Sequence, residues 1–119
     1  MDLDRCNLLC LDAATAEGIR ADLPERCDIE RAAALAQACA DPTRLTLLLA
    51  LGGPQELCVC DLTWVVAKPQ NLVSHHLRKL REAGLVQSRR EAKIVFYSLT
   101  PRGRSGISAF AGADEALHA

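Results

Sequence analysis

The sequence lacks most of the features that mark enzymes, membrane proteins and secreted proteins. It has no Gly-rich phosphate loop, no HExxH motif and no nucleophile elbow, and its 119 residues leave little room for a substrate pocket. No apolar run approaches membrane-spanning length, and the acidic N-terminus differs from the basic start of a signal peptide. We therefore expect a cytoplasmic protein that is not an enzyme.

Aromatic residues are also scarce, at 3%, although the chain is 50% hydrophobic. A core of packed helices that are rich in Ala and Leu is therefore expected, in one compact domain. The sequence contains no internal repeat and no low-complexity tract.

The net charge of −1 hides a strong asymmetry along the chain. Residues 1–67 hold five Arg against eleven acidic residues, a net charge of −6. Residues 68–104 hold nine Lys and Arg against two Glu, a net charge of +7, and residues 105–119 add −2. A basic block inside a nearly neutral chain indicates an anionic partner, with nucleic acid as the leading candidate.

The spacing of apolar residues predicts a series of helices, of which the central pair is a helix-turn-helix. Helices are expected over residues 12–22, 29–40 and 43–51, the last with Asp41 as its N-cap. A shorter helix over 59–67 and a longer one over 70–83 follow, and Gly84 ends the longer one. Val73, Leu77 and Leu80 recur at helical spacing and should face the core. Two helices joined by a tight turn are typical of DNA-binding proteins.

After Gly84 the pattern changes to that of a β-hairpin. Residues 86–89 and 94–99 are predicted to be strands, with residues 90–93 as the turn. A helix-turn-helix followed by a basic hairpin is a winged helix, so the expected fold is mostly α with a small β-hairpin.

The second helix and the hairpin carry the side chains that a DNA duplex would contact. Polar groups on the helix offer donors and acceptors for base edges and phosphates, and cationic groups at the hairpin suit the backbone. The alternative is a solvated basic surface with no partner, but the two features together favour DNA. The predicted DNA-binding residues are Gln70, Asn71, Ser74, His75, Arg78, Lys79, Arg89, Arg90 and Lys93.

Cysteine is plentiful, with six residues, and in a reducing compartment this indicates metal or redox chemistry before disulfides. Cys58 and Cys60 would point in nearly opposite directions on an intact helix, about 200° apart. Both could bind one ion at a frayed helix N-terminus, where the dipole also favours the thiolate. Cys6 and Cys10, four residues apart, could join them from a mobile arm. The alternative is a pair of small buried hydrophobes.

Three or four thiolates suit large, soft ions. Cadmium, lead, and trivalent arsenic and bismuth are ions of this kind, and such a site would bind zinc too. Cys39 lies in an Ala-rich helix and is expected to serve packing, whereas Cys27, in a predicted loop, is undecided.

Four motifs, in this order, resemble those of the ArsR/SmtB family of metal-responsive repressors, over about residues 30–100. Cys6 and Cys10 add a similarity to its cadmium- and lead-sensing CadC branch. The motifs are Ala40-Asp41-Pro42-Thr43-Arg44, Glu56-Leu57-Cys58-Val59-Cys60-Asp61-Leu62, Ser74-His75-His76-Leu77 and Gly84-Leu85-Val86.

The resemblance implies a homodimeric winged-helix repressor that occupies its operator when it is metal-free. It would leave when Cys58 and Cys60, joined by Cys6 and Cys10 from the arm of the partner subunit, bind the ion. It also implies an N-terminal arm over residues 1–28, a DNA-binding core over 29–100, and a dimerisation helix and tail over 101–119. The regulated genes would serve metal efflux or detoxification.

The cysteines also allow other interpretations. Arsenite or antimonite could be the inducer, through Cys58, Cys60 and one more thiol. A repressor on the same fold could respond to thiol oxidation, and a structural zinc protein would sense nothing. Two positions depart from the family pattern: Ala92 replaces the usual wing-tip glycine, and Pro69 replaces a capping hydroxyl.

Overall fold

The computed structural model describes residues 10–53 and 55–118 of the chain, with side chains described up to residue 110. The chain divides into two compact units, with the boundary between Arg31 and Ala32. Cys6, one of the four predicted metal ligands, lies outside the described residues. None of the helices in the described part of the chain is both long and apolar enough to cross a membrane.

The first unit contains helix α1 (Ala13–Asp22), as predicted. Asp12 is its N-cap, and the carboxylate accepts hydrogen bonds from the Thr15 backbone N–H at 3.1 Å and from the Thr15 hydroxyl at 2.9 Å. These bonds lower the pKa of Asp12, the backbone bond being the larger cause. No residue of α1 is buried within this structure.

Helix α2 (Arg26–Cys39) begins three residues earlier than the sequence pattern predicted. The carbonyl of Glu25 accepts hydrogen bonds from the N–H groups of Asp28 and Ile29, so the helix begins two residues after Pro24. Asp28 in the first turn suits the positive end of the helix dipole. Cys27 therefore lies in a helix and not in the loop that was expected.

The second unit is a winged helix-turn-helix, which confirms the predicted fold class. Its elements in chain order are α3 (Pro42–Ala50), β1 (Leu57–Cys58), α4 (Val59–Val66), α5 (Gln70–Glu82), β2 (Val86–Glu91), β3 (Ile94–Leu99) and α6 (Pro101–His118). Among the described residues the strands form one antiparallel sheet in the order β1-β3-β2.

The core of this unit forms around α5. Val73, Leu77 and Leu80 have no exposed surface, as their spacing predicted. They share one buried cluster with residues from α2, α3, α4 and the sheet, namely Cys39, Leu47, Leu48, Leu51, Leu62, Leu85, Val86 and Leu99. Burial of this many aliphatic side chains is the main stabilising contribution, at about 1.5–3 kcal/mol for each fully buried side chain.

The helix ends follow the sequence signals closely. Asp41 caps α3 by accepting a hydrogen bond from the Arg44 N–H at 3.0 Å, and Pro42 occupies the first helical position. Gly84 follows α5 with a φ of +78°, the left-handed conformation that glycine adopts without strain. Pro69 stands before α5 without a side-chain hydrogen bond to the helix, as its lack of a hydroxyl predicted.

The wing differs from the prediction at its tip. The turn was expected over residues 90–93, but Arg90 and Glu91 pair with Val95 and Ile94, so β2 continues and the turn is only two residues long. Ala92 in that turn has a φ of +56°, and its Cβ makes this conformation strained. The polar character of Arg90 and Glu91 suggested a turn, but both side chains are exposed on a strand.

Strand β1 was not predicted at all. Leu57 pairs with Tyr97 and Cys58 pairs with Phe96, both on β3. This short strand places the segment just before α4 at the edge of the sheet that forms the wing.

Candidate thiol site and nucleic-acid interface

Cys58 lies at the junction between β1 and α4. It is the N-cap of α4 with an extended backbone (φ −84°, ψ 169°), whereas Cys60 lies in the first helical turn and is exposed. Because Cys58 is outside the helical turn, the two side chains are not held at the divergent angle of an intact helix. The expectation that the pair sits at a helix N-terminus is thus matched by the backbone geometry.

Asp61 lies against the Cys58 thiol. Its Oδ2 accepts hydrogen bonds from the Cys58 backbone N–H and from the Cys58 Sγ–H, each at 3.2 Å. The spacing of three residues is that of a capping box, with cysteine in the usual place of serine or threonine. This spacing is visible in the sequence, so the role of Asp61 beside the thiol could have been found there.

Both thiols border one cleft of about 310 Å³ between the start of α5 and the wing. Gln70 lines it from α5, and the segment from Lys93 to Val95 lines it from the wing. Two of the predicted DNA-binding residues, Gln70 and Lys93, therefore share a cleft with the two central predicted metal ligands.

The pairing of the strands connects Cys58 to the wing directly. Cys58 pairs with Phe96 on β3, and Phe96 pairs with Arg89 on β2. The thiol, an aromatic ring and a predicted DNA-binding arginine thus occupy one row across the sheet.

The outer face of α5 carries the predicted base-reading side chains. Gln70, Asn71, His75, Arg78 and Lys79 are exposed, and Ser74 is half-buried. The opposite face packs in the core, so this polar face is the one available to a partner. Lys79 lies 3.9 Å from the Glu82 carboxylate, a long and exposed ion pair that holds it weakly.

The wing presents Arg90 and Lys93 to solvent, but Arg89 has partners within the chain. Its Nε donates to both oxygens of the Glu56 carboxylate, at 2.7 and 2.8 Å, and its Nη1 donates to Glu91 at 2.9 Å. The guanidinium carbon lies 4.9 Å from the centre of the Phe96 ring. The hydrogen bonds that Arg89 donates to Glu56 and, to a smaller extent, to Glu91 raise its pKa.

The ion pair between Glu56 and Arg89 was not predicted from the sequence, from which Arg89 was expected to contact DNA phosphates. No local pattern predicts an ion pair between residues 33 positions apart, because the contact depends on the unpredicted strand β1.

His76 lies at the core margin, as predicted, with 12% of its side chain exposed. Its Nε2 is 3.9 Å from Asp41 Oδ2, beyond hydrogen-bonding distance, and its Nδ1 has no hydrogen-bond partner among the described residues. The expected local hydrogen bond is therefore absent from this part of the chain. The backbone N–H of Arg44, more than His76, lowers the pKa of Asp41.

The remaining cysteines fall into distinct environments. Cys39 is buried in the core, as expected for a packing role, and burial raises the pKa of its thiol, which disfavours a thiolate. Cys10 and Cys27 are exposed residues of the first unit. Within the described residues no cluster of three or more His, Cys, Asp or Glu is arranged to hold a metal ion.

Comparison with known proteins agrees with this geometry. Residues 41–88 match the model of the family described as "Bacterial regulatory protein, arsR family". The chain is 44% identical over 86 residues to the "Transcriptional repressor SmtB homolog" of Synechocystis sp. (strain ATCC 27184 / PCC 6803 / Kazusa), a match that covers 70% of this chain and 64% of the relative. The chain thus spans slightly less than two thirds of that relative.

A second relative is matched over more of its length. The "Cadmium resistance transcriptional regulatory protein CadC homolog" of Staphylococcus aureus is 31% identical over 99 residues, which cover 83% of this chain and 81% of the relative. Among solved structures, HlyU from Vibrio cholerae N16961 superposes with a TM-score of 0.68 at 33% identity, covering 72% of this chain and 94% of that one. These proteins are regulators of transcription or share their fold, and none is described as an enzyme.

Proposed function

The chain belongs to the arsR family of bacterial regulatory proteins, and on that basis we propose that it is a homodimeric repressor released from operator DNA by a soft metal ion. Metal binding at Cys58 and Cys60 is the proposed signal, and loss of operator affinity is the proposed response. The observation that carries the proposal is the shared cleft, because the two thiols border the same space as Gln70 of α5 and Lys93 of the wing.

The proposed ligands are Cys58 and Cys60, joined by Cys6 and Cys10 from the N-terminal arm of the partner subunit. A set of thiolates favours soft, large cations, so cadmium or lead is the proposed inducer and zinc a weaker one. The similarity to a protein named for cadmium resistance supports this choice. When bound, the ion would supply a positive centre that holds the sulfur-bearing segments together.

Asp61 has a role in preparing the site. A thiol must lose its proton before it binds a metal, and the Asp61 carboxylate already accepts the Cys58 S–H at 3.2 Å. The start of α4 adds the positive end of a helix dipole at the same place. The carboxylate is thus placed to receive the proton that an ion displaces, and the helix dipole suits the sulfur anion that remains.

The sheet carries the proposed coupling to DNA. A change in the backbone at Cys58 alters its pairing with Phe96 and thereby the position of Arg89 on the outer strand. A coupling free energy of about 1–3 kcal/mol would weaken operator binding roughly 5–150-fold, which is enough for derepression.

In the metal-free dimer, two α5 helices would enter successive major grooves, about one DNA turn apart on a palindromic site. The proposed contacts to bases and phosphates come from Gln70, Asn71, Ser74, His75, Arg78 and Lys79 on α5, and from Arg89, Arg90 and Lys93 on the wing.

A titration of operator release, measured by fluorescence anisotropy under full reduction, tests the proposal. Cadmium, lead, zinc and arsenite are added in turn, and a thiolate-to-metal absorption band in the ultraviolet reports coordination. Cys58→Ser and Cys60→Ser should bind DNA normally but stay bound when metal is added. Cys27→Ser, an exposed thiol outside the proposed site, is the matched control and should release DNA like the parent.

Three results would contradict the proposal. Normal release by both serine variants would remove Cys58 and Cys60 from the mechanism. Tight metal binding with unchanged DNA affinity would identify a structural metal site, and release only by an oxidant would identify a redox sensor.

A further inference from the structure

Trp64 is the most exposed large hydrophobic residue of the described chain, with 87% of its surface accessible. It lies on α4 four residues after Cys60, so the two side chains project from the same face of the helix. Together they border a cleft of about 640 Å³, which is within the roughly 300–1,000 Å³ typical of small-molecule sites. The other residues that line this cleft are Thr63, Ala67, Lys68 and Gln70.

The packing of the residues that the structure describes does not explain the position of Trp64. Tryptophan is highly buried on average, and α4 contributes Leu62 to the core, whereas Trp64 faces solvent. The Trp64 cleft adjoins the thiol cleft, because Cys60 and Gln70 line both. A ligand bound to sulfur would therefore have an apolar space beside it, with an aromatic wall.

We infer that the Trp64 cleft receives the organic substituent of an aryl-substituted trivalent arsenic compound whose arsenic is bound by Cys58 and Cys60. This inference rests on the proposed thiol site and names a ligand class for it. An arsenic atom with one aryl substituent has two exchangeable positions, which matches a pair of thiols. The third substituent must then lie next to the sulfur atoms, where the cleft is.

The binding reaction is a ligand exchange without oxidation or reduction. An aryl arsenic dihydroxide reacts with two thiols, so that two As–S bonds form and two As–O bonds break. The thiol protons leave with the hydroxide groups as two water molecules. Asp61, which accepts the Cys58 S–H, is placed to pass that proton on to the departing hydroxide.

An aryl ring beside the indole would add an aromatic pair to the two As–S bonds. Such pairs, together with the apolar surface that they bury, should raise the affinity for the aryl compound about tenfold. Inorganic arsenite has no ring, so its affinity should not depend on Trp64.

The experiment compares phenylarsine oxide with arsenite on the full-length protein, in competition with a small dithiol and with a phosphine as reductant. Bound arsenic is counted by mass spectrometry of the intact protein, and binding that survives in Cys58→Ser/Cys60→Ser is subtracted. Trp64 is the single tryptophan of the chain, so its fluorescence independently reports a ring that arrives beside it.

Trp64→Ala should weaken phenylarsine oxide binding about tenfold and leave arsenite binding unchanged. Trp64→Phe should restore most of the loss, because a phenyl ring replaces the indole. Val65→Ala is the matched control: Val65 is 53% exposed on the same helix, is not among the residues that line the cleft, and should change neither affinity.

The inference is overturned if Trp64→Ala leaves both affinities unchanged or lowers both equally, or if phenylarsine oxide does not bind Cys58 and Cys60. Cadmium-induced DNA release, measured on the same samples, tests the proposed repressor mechanism separately. Trp64-dependent binding of phenylarsine oxide without any cadmium-induced release would support the inference while refuting that mechanism.

Discussion

Replacing Glu56 with glutamine should make operator binding tighter at low salt and more sensitive to salt. Glu56 holds Arg89 through two bonds to Nε, at 2.7 and 2.8 Å, and places a negative charge where the proposed interface meets phosphate. Glu56→Gln removes that charge and weakens the competition for the guanidinium. Arg89 could then neutralise a phosphate in each subunit of the dimer.

The size of the effect follows from counterion release. Each added phosphate contact steepens the dependence of log affinity on log salt by about 0.9, so two contacts add about 1.8. Between about 50 and 200 mM salt, this slope corresponds to an additional loss of affinity of roughly tenfold relative to the parent. The assay is a salt titration of operator affinity by fluorescence anisotropy, on metal-free protein.

Two controls separate this mechanism from a general change in charge. Glu30→Gln removes one negative charge from an exposed ion pair with Arg26 in the first unit, and it should leave the salt slope unchanged. In an Arg89→Gln background, Glu56→Gln should have no further effect. An unchanged slope in the single variant, or the same steepening without Arg89, would refute the reasoning.

Two further predictions concern stability. Asp41→Ala should lower the free energy of unfolding by about 1 kcal/mol near neutral pH, because it removes the N-cap of α3, whereas Asp41→Asn should retain most of the cap. The pKa of Asp41 is lowered in the folded state, so its charge stabilises the fold at pH values above the unfolded pKa of about 3.9, and this stabilisation is lost as the pH falls through the folded pKa. Urea unfolding at several pH values should show this acid-dependent loss in the parent but not in Asp41→Asn. An equal dependence on acid in both proteins would contradict the prediction. Gly103→Ala should destabilise the protein strongly, because its Cβ would collide with the backbone carbonyl of Leu85. Gly106→Ala has open space around its Cβ and should stabilise α6 by about 0.5–1 kcal/mol. Thermal unfolding distinguishes the two variants, and equal melting temperatures would contradict the prediction.

Much of the fold was predictable because its signals are local. The 3.6-residue repeat of Val73, Leu77 and Leu80 identified the buried face of α5, and Asp41 and Gly84 marked helix ends through side-chain capping and left-handed geometry. These features depend on residues within one or two helical turns, so a single sequence contains the information. Residues 94–99 were also predicted to be a strand, and β3 has these bounds.

The errors lie where distant segments decide the structure. Strand β1 is two residues long, too short for any period, and it exists because β3 offers a free edge. Arg90 and Glu91 look like turn residues, but pairing with β3 keeps them in a strand. The partner of Arg89 depends on both facts and was therefore not predictable.

For the candidate site, the sequence identified the kinds of side chain but not their arrangement. The thiol pair and the polar face of α5 were evident from spacing alone. Their common cleft arises from the way in which α4, α5 and the wing pack together, and the exposure of Trp64 depends on that packing as well.

The order β1-β3-β2 also bears on how quickly the proposed regulator would respond. One strand separates the strand that carries Cys58 from the strand that carries Arg89, so the path across the sheet is about 10 Å at the usual spacing of neighbouring strands. A rearrangement confined to this path needs no reorientation of domains, so it belongs to the faster classes of protein motion, about nanoseconds to microseconds. The interval between binding of the inducer and the start of transcription would then be set by dissociation of the DNA.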